Sequence, residues 1–230
     1  VGSEMCIRDR IHLALKLHLQ LNLQIQQSKP SQDRSLVFLF LGYKSLLYYN
    51  WKIEFMNFCS KCSSAQIEKK VPDGDTHERL VCTQCNEIFY SNPNIVTGVL
   101  PFNSNNEILL CKRNIEPRSG FWTLPAGFLE NGESIEEGAV RETYEEALLK
   151  VENVNLFTIL SVPHINQIYT FFTGEINGSS FGPTPESSEV KLFKIDEIPW
   201  DELAFPTVKR TLQLFLEEDR NNVFNEVLTY

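Results

Sequence analysis

Six residues in one short window carry the chemistry this sequence can do: Gly127, Glu133, Arg141, Glu142, Glu145 and Glu146. Ser134 is followed three positions later by Glu137, a capping-box pattern, so the spacing predicts a helix that starts there and runs to about Leu149. At ~100° per residue, Glu145 and Glu146 fall within about 60° either side of Glu142, which crowds three carboxylates onto one helix edge. Such a cluster repels itself and is kept out of water only with a cation among its members. Oxygen ligands with no nearby His or Cys favour a hard divalent ion, magnesium or manganese, which in turn holds phosphate oxygens and water. Arg141 is placed to pair with Glu133 or Glu145, holding the carboxylates rather than touching a substrate. The plainer alternative is the solvated acidic face of a surface helix. On the adjoining arc, Ala139, Val140, Thr143, Tyr144 and Ala147 are small or apolar and suited to packing on a sheet.

A second set of ligands stands upstream. Cys59 and Cys62 are separated by two residues, as are Cys82 and Cys85, with nineteen residues between the pairs. This is the spacing of a four-cysteine zinc ribbon, in which each pair sits on a tight knuckle and four sulfurs surround a structural Zn2+. Asn86 suits the left-handed turn that such a knuckle needs, and Ser63 suits it less well. Two disulfides are the competing arrangement. Against them stand an unpaired Cys111 and the lack of a secretory signal after Met56, which point to a reducing, cytoplasmic setting. Between the pairs, Lys69, Lys70 and Arg79 are offset by Glu68, Asp73, Asp75 and Glu78, so the ribbon is read as a structural or homodimer-supporting unit.

The elements that must position these residues come from 230 residues, 42% hydrophobic, enough for one good core with a small appendage. Residues 1–55 read as foreign to that core. Residues 4–9 resemble the translation of a sequencing-library adapter, and from Ile11 to Ile25 every odd position is Ile or Leu, an amphipathic-strand alternation with no partner strand or turn. The apolar run at 36–41 is interrupted well short of the ~20 residues a membrane span needs. The functional protein is therefore expected to begin at Met56. Beyond residue 55 there are 14 basic and 26 acidic residues, a formal charge of −12, which repels a nucleic-acid backbone. No nucleic-acid or membrane partner is expected.

Pro93 closes the ribbon segment and holds Asn92 extended. Residues 95–102 read as a strand, 103–106 as a hairpin turn and 108–112 as the returning strand. Further strands are expected at 154–162, 167–173 and 190–194, and a helix at 206–218 with apolar Val208, Leu212, Leu214, Phe215 and Leu216. Mixed strands with helices on either side give the α/β class, as an α/β/α sandwich.

The window at 127–146 resembles the Nudix box, and residues 120–126, Gly-Phe-Trp-Thr-Leu-Pro-Ala, resemble the strand and turn that lead into it. One position departs. The family often has Gly two residues after the glutamate pair, where this chain has Leu148, so the end of the helix is where the pattern is at variance. Residues 112–117, 122–133, 163–169, 186–190 and 197–200 extend the resemblance to the zinc-ribbon-bearing Nudix hydrolases of bacteria and the plant chloroplast enzymes that cleave FAD and ADP-ribose. After the extension at 1–55, it implies a zinc ribbon at 56–92 and a Nudix domain with a mixed sheet at 93–230. It also implies hydrolysis of a small-molecule nucleoside diphosphate linked to another moiety.

A pyrophosphate resists attack by hydroxide until cations neutralise its oxygens. Magnesium on Glu142, Glu145 and Glu146 would do this, and a further carboxylate would accept a proton from water. Candidates for that role are a box glutamate, or Glu186 or Glu189 from the segment that the resemblance places over the site. Gly127, Arg113 and Trp122 are candidate substrate contacts: Arg113, with Lys112, toward phosphate, and Trp122, with Phe121, as a stacking surface, although an aromatic on an apolar strand also suits the core. His164 is expected to be structural. Two other functions are weighed. NADH pyrophosphatases also place a zinc ribbon before this box, but they carry a Gln-Pro-Trp-Pro-Phe-Pro type stretch where this chain has His-Ile-Asn-Gln-Ile-Tyr at 164–169. A non-catalytic sensor would be expected to have lost box carboxylates, and this chain has all of them.

Overall fold

The computed structural model describes residues 56–178 and 180–229. The expectations for residues 1–55 lie outside them.

The cysteine segment builds a three-stranded antiparallel sheet from β1 (Ile67–Lys70), β2 (Arg79–Cys82) and β3 (Ile88–Phe89), in the order β1-β2-β3. Its strands are short and mostly exposed, with Cys59, Pro72, Val81 and Cys82 as the buried residues. So little apolar area cannot hold a fold by itself.

The larger sheet follows with β4 (Asn94–Phe102), β5 (Ile108–Arg113), β6 (Trp122–Thr123), β7 (Ala126–Phe128), helix α1 (Ile135–Ala147), β8 (Glu152–Val162), β9 (Gln167–Glu175), β10 (Ser187–Phe193), helix α2 (Pro206–Glu217) and β11 (Phe224–Val227). The strand order is β10-β5-β4-β9-β8-β11, with β6 on β5 and β7 on β4. Pairing is mixed: β4 with β9 and β8 with β11 are parallel, the remainder antiparallel. Among the described residues no helix is long and apolar enough to cross a membrane.

One irregularity in this sheet positions the site. β4 and β5 pair only at Phe102 and Ile108, beside the turn, and then splay apart. The segment 122–128 fills the opening, pairing with Cys111 and Lys112 on one side and with residues 96–98 on the other. Gly98 permits this, because a Cβ there would lie 2.4 Å from Pro125 O and from Ala126 Cβ. The wedge ends at Gly127 and Phe128, a short turn before α1.

Adjacent residues on the central strands face opposite layers, as the period of two requires. Leu100, Leu110 and Phe171 join Phe157, Trp122 and Leu124 under Val208, Leu212 and Phe215 of α2. Their neighbours Val99 and Phe172 pack on Ala139 of α1, and Leu109 and Cys111 pack on Ala147 and Leu149. The two helices thus cover opposite faces, giving the expected α/β/α sandwich. Each fully buried Leu or Phe contributes about 1.5–3 kcal/mol.

Helix α1 begins as expected: Glu137 N–H donates to Ser134 Oγ at 3.2 Å and Ser134 N–H to Glu137 Oε2 at 2.7 Å. It ends earlier than expected. Leu148 adopts φ +54, a left-handed cap normally given to glycine, with its N–H donating to Tyr144 O. The reversal buries Leu149 in the core, a tertiary gain that outweighs the local backbone preference. β10 begins at Ser187 rather than 190, because its first residue pairs with Arg113 across a bulge. β11 was not anticipated from the sequence. Glu226 faces inward with Phe224, and Val227 is exposed with Asn225, so the strand's residue types carry no apolar alternation, and Arg210 of α2 fastens it by donating to both oxygens of Glu226, through Nε at 2.7 Å.

Candidate active site

Arg141 is the hub. Its Nε donates to Glu133 Oε2 at 3.0 Å and its Nη2 to Glu133 Oε1 at 2.7 Å, while Nη1 serves Glu142 at 2.8 Å and Glu145 at 2.9 Å. Nη2 also donates to Phe128 O at 3.2 Å. All the N–H groups of the guanidinium are engaged, a planar fork that lysine could not reproduce. Glu133 in turn accepts from Glu130 N–H at 2.8 Å, and the Arg141 hydrogen bonds pull its carboxyl down to about 2.

Behind this hub the carboxylates become drier. Glu145 is exposed, whereas Glu142 is largely covered and Glu146 is 6% exposed. Burial raises Glu142, with Arg141 opposing. Burial pushes Glu146 up to about 7; the Ala126 N–H, 3.1 Å from Oε2, and the Arg113 charge oppose the shift, while the charges of Glu142 and Glu186 add to it. Gly127 makes room for this arrangement. A Cβ there would stand 2.4 Å from the carboxylate of Glu142, so its place is beside a box glutamate.

The donor set suits a hard divalent cation: oxygen only, partly desolvated, with several negative charges served by one guanidinium. The carboxylates nevertheless do not converge. Among the described residues only the four cysteines bring three or more possible ligand atoms within 4.8 Å of one another. Glu142 and Glu145 turn to Arg141, and Glu146 turns to Ala126.

The remaining sequence candidates are distributed as follows. Arg113 lies close enough to favour the ionised form of Glu146, with its Nε donating to Pro117 O at 2.8 Å and its guanidinium 5.1 Å from the Phe205 ring centre. Trp122 lies in the core, the alternative weighed for it: it is 5% exposed, edge-on to Phe193 at 4.8 Å, with Lys112 Nζ 5.4 Å from its ring centre. Glu189 lies in β10. It pairs with Lys112 in register, while its neighbour Val190 pairs with Cys111 in the layer under α1, so the alternation puts Glu189 on the other face of the sheet. Glu186 is the residue of that segment whose charge reaches Glu142 and Glu146. What the sequence did not reveal is the Ala126 amide, since a backbone donor carries no sequence signal.

The cysteine cluster is closed. Cys59 and Cys85 sulfurs lie 3.6 Å apart, as do those of Cys62 and Cys82. A tetrahedron with ~2.3 Å zinc–sulfur bonds has edges of about 3.8 Å, so the four residues fit zinc. Both knuckles use the same turn: Ser63 and Asn86 have φ of +61 and +59, and their N–H groups donate at 2.8 Å to Cys59 O and Cys82 O. The reservation about Ser63 is met by that hydrogen bond, which fixes the turn despite the Cβ.

The NUDIX domain family matches residues 92–215, more than half of the chain, and the Nudix N-terminal family, a zinc ribbon, matches residues 57–91. This chain belongs to the Nudix family. A Nudix hydrolase from Nitrosomonas europaea has a similar crystal structure, 40% identical, covering 75% of this chain and all of that one with a TM-score of 0.67. Two curated relatives, from Salmonella heidelberg and an Enterobacter species, are each named NAD-capped RNA hydrolase NudC. Both are 28% identical over 143 residues, 62% of this chain and 53% of theirs. The chain spans about half the length of these curated relatives. Nudix membership, a zinc-ribbon cysteine cluster and the mixed α/β fold were all legible as expectations from the box and the cysteine spacing.

Proposed function

We propose that this Nudix protein hydrolyses the pyrophosphate bond of a nucleoside diphosphate linked to another moiety, of the FAD or ADP-ribose kind. Water adds to one phosphorus, the bridging P–O bond breaks, and two phosphate-bearing products leave. The observation that carries this reading is the intact Arg141 hub beside the buried Glu146.

Glu142, Glu145 and Glu146 would hold magnesium or manganese, which supplies charge neutralisation at the phosphate oxygens and a lowered pKa for bound water. Arg141 contributes order, since it locks Glu133 and aligns Glu142 and Glu145 before substrate arrives. Burial around Glu146 keeps bulk water away from the reacting bond and strengthens each charge interaction there. Of the two candidates outside the helix, Glu186 is the one whose charge acts on Glu142 and Glu146, which supports it as the acceptor of the proton of the attacking water.

The relatives named for NAD-capped RNA make a capped RNA the second reading. The formal charge of −12 over residues 56–230 favours a small dinucleotide, since an RNA backbone would meet repulsion. The ribbon thiolates suit a cytoplasmic, reducing setting. Incubation of the protein with magnesium and FAD, ADP-ribose, NADH or NAD-capped RNA, with products resolved by chromatography, tests the proposal. AMP released from FAD or ADP-ribose at the highest kcat/KM is the expected result. Turnover confined to capped RNA, or none with any substrate, overturns it.

A further inference from the structure

Residues 182–186 read Gly-Pro-Thr-Pro-Glu and lead into β10. Each proline fixes its own φ and pushes the residue before it toward an extended backbone, so Thr184 lies in a stiff stretch with little choice of conformation. The segment finds its partners on α1. A helix leaves its last four carbonyls without internal donors, and in α1 these belong to residues 144–147. Tyr144 O takes the N–H of Leu148, Ala147 O takes the N–H of Gly182 at 2.9 Å, and Glu146 O takes the Thr184 hydroxyl at 3.4 Å. The segment therefore closes the end of the helix that carries the box glutamates.

The Thr184 hydroxyl is used from both sides. Its O–H donates to α1, while Oγ1 accepts from Glu186 N–H at 3.3 Å and from Ser187 N–H at 3.2 Å, so its one donor and two lone pairs are all engaged. Thr184 N–H also donates to Ser187 O at 2.9 Å, which closes the turn around Glu186. From the end of β5, Asn114 holds the same turn, donating through its N–H to Glu186 O at 2.8 Å and through Nδ2 to Pro185 O at 3.0 Å. Glu186 thus stands exposed on a turn pinned between β5 and the last turn of α1, and its charge acts on Glu142 and Glu146.

We infer that Thr184 is the positioning residue for Glu186: its hydroxyl latches the turn to the Glu146 carbonyl and so fixes the Glu186 carboxylate beside the box. The inference deepens the function proposed above and rests on that reading for Glu186 as proton acceptor. Serine at this position keeps the hydroxyl, and valine keeps the shape without it. In Thr184→Val the Ser187 N–H retains Thr184 O at 3.3 Å and Glu146 O retains the Cys111 thiol at 3.9 Å, so the fold is expected to hold.

A double-mutant cycle on the full chain, with magnesium and whichever of FAD or ADP-ribose gives the higher kcat/KM, tests this. Thr184→Val should lower kcat about 10-fold with KM changed less than about 2-fold, since a proton acceptor is displaced while substrate binding is untouched. Thr184→Ser should restore most of the loss. In a Glu186→Gln background the same Thr184→Val change should alter kcat less than about 2-fold, because the residue through which it acts is gone. Residue-resolved amide exchange without substrate should be faster at Glu186 in Thr184→Val than in the wild type or Thr184→Ser. Equal loss of kcat in both backgrounds, no loss in either, a change in KM alone, or unchanged exchange at Glu186 overturns the inference. A wild type that hydrolyses neither substrate removes the hydrolase proposal; faster exchange at Glu186 then still establishes the latch, and unchanged exchange removes it as well.

Discussion

Arg141 shows how much one side chain organises here: its fork occupies three carboxylates and a carbonyl, so Glu133, Glu142 and Glu145 are all held on one guanidinium. Glu146 is the driest of the box carboxylates and the one with most to lose. Glu146→Gln should leave a folded protein with hydrolysis reduced at least ~100-fold, since a lost metal-holding charge removes several kcal/mol of transition-state stabilisation. Near-normal turnover at saturating magnesium would show that another residue carries that role. The same residue makes stability depend on pH. Its folded pKa of about 7 lies above the ordinary 4.5, so the folded state favours the neutral form. The stabilisation is therefore full below about pH 4.5 and is lost as pH rises through about 7. Glu133 and Asp75, both held down to about 2, titrate below that window. In magnesium-free buffer, without a chelator that would strip zinc, the urea midpoint should fall between pH 5 and pH 8. The fall should be smaller in Glu146→Gln. An identical fall in both proteins would assign it to other groups.

Among the elements, α1 carries the site and its two ends are made differently. The start is a capping box that any reader of the sequence can find. The finish is Leu148 in a left-handed conformation, for which its residue type gives no hint. Leu148 is 47% exposed, so its side chain returns little of the backbone cost. Leu148→Gly should stabilise the protein by about 0.5–1 kcal/mol, raising the melting temperature by ~2 °C, through relief of the left-handed strain. Calorimetric melting of the variant checks this; a lower melting temperature would mean that Leu148's contacts with its neighbours outweigh the strain. The wedge of β6 and β7 is the other decisive element. Its two- and three-residue strands are too short to carry a periodic signal, yet they deliver both the Ala126 amide and Gly127 to the carboxylates.

At the scale of the molecule, two donor sets of different chemistry sit in separate elements: four sulfurs in the ribbon and carboxylate oxygens on α1. One zinc per chain is expected on metal analysis, and removing it should loosen residues 59–85, because the ribbon buries too little to stay ordered alone. Cys82→Ser should therefore lose zinc and ribbon protection in hydrogen exchange while hydrolysis at saturating magnesium falls only partly. Complete loss of turnover in a variant whose Nudix domain remains folded would mean that the ribbon helps build the active site.

The sequence by itself determined the family, the zinc cluster and the box, because these depend on residue type and fixed local spacing: a thiolate pair needs its knuckle and a helix edge needs its three- and four-residue steps. It also determined the main strands and both helices, through runs long enough to show a period. Only the tertiary structure decided which candidates face the carboxylates. Trp122 entered the core because its wedge strand turns it toward Phe193, and Glu189 lies on the sheet face away from α1 because a strand alternates its faces and the bulge sets the phase. Gly127 proved to be the gap that Glu142 fills. These are relations between segments distant in the chain, created when the sheet forms and packs, and no local spacing records them.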